Sequence, residues 1–206
     1  ELVTPGVSFN DNVLERKQNN FLACIHLGKN TWGMALLDIS TGEFYVAEGN
    51  ETYIAKLLQN FSPAEVIYSK SARNKLEALL QNNHATFALD EWVYAFDFAQ
   101  EKLLQQFKTV TLKGFGIDAM PDAVVAAGAI LHYLDATEHK DTQHITSLSR
   151  IEEDRFVWLD KFTIRNLEII LPAQEGGVPL IDIIDKTATP MGSRLLKKWM
   201  VLPLKD

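Results

Sequence analysis

Four carboxylates, Asp38, Glu43, Asp90 and Glu91, stand at the ends of apolar runs. Carboxylates gathered on a sheet hold divalent cations against a scissile phosphate, so metal-dependent nuclease chemistry is the first reaction to consider. That reaction needs several acids converging on the ions, one of them on the first strand. The first apolar run, FLACIHLG (21–28), contains no acid, and polar residues commonly end strands at such positions. Among the histidines, His132, His139 and His144 lack the i, i+4 pairing with Glu or Cys partners that marks a zinc site, and His132 is expected to pack or hydrogen-bond on its own helix. No Ser-His-Asp set follows from spacing, since a triad is recognised by geometry. The single cysteine, Cys24, lies inside an apolar run and has no internal disulfide partner, which suits a reducing cytosol. The chain is therefore expected to hold no catalytic residue, metal ligand or bound cofactor of its own.

Cationic chemistry is concentrated near the C-terminal end, in TPMGSRLLKKWMV (189–201). Thr189 is suited to an N-cap and Pro190 to the first helical position, where a missing N–H costs nothing. At about 100° per residue, Met191, Leu195, Leu196, Trp199 and Met200 spread over one half of the helix, while Arg194, Lys197 and Lys198 share an arc on the other. The apolar half is expected to pack. The basic arc is either a solvated face, favoured by cations near a helix C-terminus, or a contact for phosphate or an acidic surface. Gly192 costs about 1 kcal/mol relative to Ala inside a helix, so a neighbour is expected to approach its backbone closely.

The elements that position these residues follow from composition and pattern. With 206 residues, 47% of them hydrophobic, the chain can bury a substantial core. A net charge of −7 argues against indiscriminate nucleic-acid binding, so any DNA contact must be local. No run reaches about 18 apolar residues and no signal peptide is evident, which points to a soluble intracellular protein without membrane association. Three β-rich runs at 19–28, 31–39 and 42–48 are separated by turn pairs, as in an antiparallel meander. Helix (51–59), strand (64–69), helix (72–81), strand (85–90) and helix (96–107) follow. In the last helix, Phe96, Leu103, Leu104 and Phe107 are expected to face a core. This order predicts an α/β RNase H-like mixed sheet, followed by an all-α segment. Gly114-Phe115-Gly116 punctuates the chain. Beyond it, 120–139 is apolar on nearly every face, with Ala126, Ala127, Gly128 and Ala129 permitting close helix approach and tying the two halves together.

DKTATPMGSRLLKKWMVLPLKD (185–206) resembles the segment with which the core domain of the MutS family, DNA mismatch-recognition ATPases, begins its helical lever. The resemblance recurs in order along the chain, through LVTPGV (2–7), NNFLACI (19–25), LLDISTGEF (36–44), PAEVI (63–67), GFGI (114–117), AAGAILHYL (126–134) and LDKFTIRNLEII (159–170). It implies a connector domain over 1–118 and the N-terminal part of the core, or lever, domain over 119–206. It also implies that the last helix runs on into a lever. The family reads mispairs with a Phe-x-Glu wedge and hydrolyses ATP with a P-loop; neither motif occurs here. ATP, Mg and DNA-dependent ATPase activity are accordingly expected of a full-length parent, a cytoplasmic bacterial homodimer acting at the nucleoid on mismatched duplex DNA. The family's connector domain also offers a surface to MutL. The polar face of the 96–107 helix, with Gln100, Glu101, Lys102 and Gln105, is the element this implication points to, against the plainer reading of a solvated face. An RNase H-like scaffold or nuclease unrelated to repair is the alternative.

Overall fold

The computed structural model describes residues 4–7, 19–80, 84–139, 142–159, 161–174 and 176–205. Strands β1 (Phe21–Leu27), β2 (Trp32–Asp38) and β3 (Glu43–Gly49) form the antiparallel meander, with Cys24 opposite Ala35 and Ala35 opposite Val46. Helix α1 (Glu51–Phe61) starts where the Asn50 side chain accepts the Tyr53 N–H at 2.8 Å, satisfying one of the orphan donors of the first turn. It leads into β4 (Glu65–Ser69), α2 (Arg73–Leu80), β5 (Ala85–Leu89) and α3 (Phe96–Phe107). β4 runs parallel to β1 and β5 parallel to β4. With β6 (Ser149–Arg150), the sheet order is β5-β4-β1-β2-β3-β6, a mixed sheet with β1 central, in the RNase H-like arrangement expected from the strand order.

Burial on both sides explains why β1 is apolar almost throughout. Leu22 and Cys24 face one core, and Phe21, Ala23 and Ile25 face the other. The alternation follows from the two-residue period of a strand. Helices α1 and α2 cover the second face with Ile54, Leu57 and Leu76. The first face is covered by α3 and by α4 (Pro121–Ala136).

Helix α4 is buried nearly end to end, from Ala123 to Leu131 without a break. Its small residues allow the approach expected of them: a Cβ on Gly128 would collide with the backbone of Ala99 in α3. Helices α3 and α4, on either side of Asp118, share one core on the same sheet face. The first turn of α4 is held from a distance. Glu48 of β3 accepts the N–H groups of Asp122 and Ala123 at 2.8 and 3.1 Å, serving as the cap that Met120 does not provide.

In α3, Ala99 and Leu103 are fully buried, and Leu104 and Phe107 pack at the core margin. Phe96, expected to face the core, is instead 40% exposed because it begins the first turn, ahead of the stretch that meets α4. The chain after α4 is not purely helical. β6 (Ser149–Arg150) adds a short parallel strand beside β3. It is followed by α5 (Lys161–Asn166), α6 (Leu180–Ile184) and α7 (Pro190–Val201). Helix α5 stops at Asn166, and Glu168 takes a left-handed conformation at φ 48°.

Helix α7 begins as read, with Thr189 accepting the Gly192 N–H at 3.2 Å and Pro190 at its first position. The neighbour close to Gly192 is Thr187 of the same chain, 3.1 Å from where a Cβ would stand. The helix does not run on. Pro203 disfavours the helical region for Leu202, and the chain turns back along 155–157: Val157 donates to the Pro203 carbonyl at 2.8 Å and Lys205 to that of Arg155 at 3.0 Å.

Candidate functional site

The basic arc of α7 lies in a groove against the sheet unit. Arg194, Lys197 and Lys198 line it together with Asn19, Phe21, Asn60 and Phe61. The Lys198 ammonium donates to the Tyr45 hydroxyl at 2.7 Å and sits 4.0 Å from the centroid of that ring. Burial holds the Lys198 pKa below the ordinary lysine value, with the nearby Glu43 carboxylate opposing the shift. Glu43 in turn accepts the Tyr45 hydroxyl at 3.0 Å, so Lys198, Tyr45 and Glu43 form a chain.

The facing of α7 thus departs from the expected one. Met191 is 74% exposed and Trp199 60%, and Leu195 is exposed as well; Leu196 and Met200 are half-buried. The three cations are half-buried on the inner side. Two physical reasons favour this. The last turn of α1, whose carbonyls carry the negative end of the helix dipole, lines the groove. Long lysine stems also cover apolar surface while their ammonium groups reach a partner.

On α3 the expected polar residues are already partly employed within the fold. Lys102 pairs with Asp135 of α4 at 2.6 Å, and Gln105 donates to Glu101 at 2.9 Å. The adjacent Gln106 donates to the carbonyls of Thr142 and Ile145, tying the segment after α4 back onto α3. Gln100 is half-buried, whereas Glu101 and Gln105 are exposed. Near the start of this helix, Trp92, Phe98 and His132 form an aromatic cluster with centroid separations of 5.0–5.6 Å. His132 does pack, as expected, and burial followed by the Lys102 charge lowers its pKa.

The four acids do not converge. Asp38 pairs with Phe21 at the start of β1, whereas Asp90 follows the end of β5, which runs parallel to β1 by way of β4; the two groups lie at opposite ends of the sheet. Asp38 is fully buried and occupied as a turn organiser, accepting from Asn19, the Asn20 N–H, and the backbone and hydroxyl of Ser40. Asp90 pairs with Lys70, and Glu91 accepts the Ser71 N–H. Among the described residues, no group of three or more His, Cys, Asp or Glu is placed to hold a metal ion, and no helix is long and apolar enough to cross a membrane. His144 bonds the Ile39 carbonyl at 2.6 Å and His139 the Thr137 hydroxyl at 3.0 Å. Cys24 is fully buried beside the Tyr94 hydroxyl, and burial pushes its thiol up to about 12.

Tyr45 and Glu65 escape a reading of the sequence, since each is one polar residue in a strand pattern. The only signal for Glu65 is a carboxylate opening the otherwise apolar strand EVIYS.

Comparison with known proteins assigns the chain as a whole. Residues 20–146 match the family described as MutS domain II, and residues 162–206 match MutS domain III. The chain is 55% identical over all its 206 residues to a DNA mismatch repair protein MutS of Cytophaga hutchinsonii, 55% to that of Bacteroides fragilis and 56% to that of Phocaeicola vulgatus. It spans 24% of the length of each. With matches in two consecutive domains and over half its residues shared with these relatives, the chain belongs to the MutS family.

Proposed function

We propose that this chain comprises the connector domain and the beginning of the helical core domain of a DNA mismatch-recognition protein, and that it couples the mismatch-binding and ATPase ends of the intact molecule. The observation that carries this reading is the seating of α7 on the sheet unit through Lys198 and Tyr45, since displacement passes between two bodies only through a stiff contact. Beyond the division expected at Asp118, we assign the joint at which the two units meet to 147–161, the interval between the two family matches. The exposed face of Met191, Leu195 and Trp199 is then the surface offered to further helices of the core.

In the intact protein this reading includes ATP and Mg bound outside this chain, DNA-dependent ATPase activity, homodimerisation, mismatched duplex DNA as ligand and a bacterial cytoplasmic location. MutL docks on the connector, with Gln100, Glu101, Lys102 and Gln105 as the residues assigned to that contact. Arg194 and Lys197 are assigned to phosphate contact, and Lys198 to the joint with Tyr45.

The coupling is tested by Lys198→Met in the intact protein. Mismatch binding and basal ATP hydrolysis are expected to persist while mismatch-dependent acceleration of nucleotide exchange declines; unchanged acceleration overturns the reading. Docking is tested by titrating MutL from the same organism with the chain, where saturable binding weakened by Glu101→Arg supports the assignment.

A further inference from the structure

Glu65 opens β4 and is buried at 3% exposure, yet no cation is paired with it among the described residues. Both of its oxygens are used. Oε2 accepts the Thr4 hydroxyl at 2.5 Å and the Gly6 N–H at 3.0 Å, while Oε1 accepts the Tyr133 hydroxyl of α4 at 2.7 Å. A buried carboxylate is tolerated only where donors replace its water, and bonds to an ionised acceptor are stronger than neutral ones. One carboxylate therefore joins three separate pieces of the chain: the segment ahead of the sheet, an interior strand and the central helix.

Among the described residues, the hydrogen bonds that hold the incoming segment besides these are few. Residues 5–7 form a single 3-10 turn, too short to be stable by itself. Gly6 is pressed against the sheet, where a Cβ would meet the Glu65 Cβ at 2.8 Å and the Leu22 Cδ1 at 3.1 Å. Asn20 adds one further bond, donating to the Pro5 carbonyl at 2.9 Å from an exposed position. Among the described residues, the hydrogen bonds of this attachment are confined to Thr4, Pro5 and Gly6. Such contacts open at lower free energy than an apolar core does.

Tyr133 extends the connection. Its ring lies 5.4 Å from that of Phe87 in the edge strand β5, and it sits next to His132 of the aromatic cluster that reaches α3. A movement of the chain ahead of Thr4 accordingly meets β4 and α4 at one point. We propose that Glu65 is a releasable joint through which displacement of the preceding segment enters this unit, the counterpart of the Lys198–Tyr45 joint where α7 is seated; this role rests on the coupling reading above.

The test has two arms, with Glu65→Gln as the principal variant and Thr4→Val as one that removes a single hydroxyl outside the strands. In the first arm, hydrogen exchange of this chain reads the amide of Gly6 against those of Cys24 and Ile25. A loss of at least tenfold in Gly6 protection with the strand amides unchanged is expected. Unchanged Gly6 protection in a folded variant overturns the joint, and if Glu65→Gln loses strand protection as well, Thr4→Val decides the question by the same criterion. In the second arm, mismatch-dependent nucleotide exchange is measured in the intact protein. Its decline in the variants, with mismatch affinity retained, supports transmission through Glu65, whereas its persistence despite a loosened Gly6 overturns it. Absence of that coupling in the unsubstituted protein overturns the coupling reading and with it the transmitting role, while the first arm still reports whether the clamp exists.

Discussion

Lys198 of α7 and Tyr45 of β3, 153 residues apart, meet with the ammonium 2.7 Å from the hydroxyl and 4.0 Å from the ring centroid. Two interactions share one pair, and they separate by substitution. Tyr45→Phe keeps the ring and removes the acceptor, so it is expected to cost about 0.5–1.5 kcal/mol. Lys198→Ala removes the cation and its stem together and is expected to cost more. Urea unfolding of the two variants measures the difference; equal stability of Lys198→Ala and the parent chain would show that the groove does not hold α7.

Glu48 caps a helix that begins more than 70 residues later in the chain. Because its Oε2 accepts two first-turn N–H groups of α4, Glu48→Ala leaves both without this acceptor. A cost of about 1–2 kcal/mol is expected, within the range for lost N-caps. Glu48→Gln, which retains an acceptor, should recover much of it in the same thermal or chemical denaturation.

Gly128 faces the backbone of Ala99, so no side-chain rotation relieves a clash there. Gly128→Leu is expected to lower the melting temperature sharply or prevent folding, beyond the 1–3 kcal/mol typical of overpacking. An unchanged melting temperature would show that α3 and α4 separate easily.

His26 stacks on Tyr94 and lies 3.7 Å from Asp122. Burial, the largest cause, lowers its pKa from 6.5, while Asp122 and Glu91 act against the shift. The pKa of His132 is lowered too. A base with a depressed folded pKa binds fewer protons folded than unfolded, so its contribution is complete above about 6.5 and is lost as the pH falls below it. Stability measured between pH 7 and 5 is therefore expected to decline on acidification, and to decline less in a His26→Phe, His132→Phe double variant.

Cys24 offers a probe of the core. With its thiol pushed up to about 12 and no exposed surface, it is expected to resist an aromatic disulfide reagent at pH 8 until the sheet opens. Its rate of modification should follow global unfolding in denaturant; rapid modification in native buffer would show that the centre of β1 opens locally.

The sequence by itself determined the meander, the succession of helices and strands, and the starts of α1 and α7. These depend on alternation, on 3.6-residue periodicity and on capping residues a few positions apart. It also exposed the lack of an acid in the first strand, which makes a nuclease a poor reading. The tertiary structure alone decided which surfaces meet. Periodicity shows that α7 has an apolar and a basic half, but only the position of Tyr45 and the last turn of α1 selects the basic half to face inward. The small residues of α4 announce close packing without naming Ala99 as the neighbour, and so leave open which unit owns the helix. Glu65 reads as one acid in an apolar strand until Thr4, Gly6 and Tyr133 converge on it. Local pattern fixes what a segment is because its causes lie within a few residues; partner choice depends on groups far away along the sequence, which only the folded chain brings together.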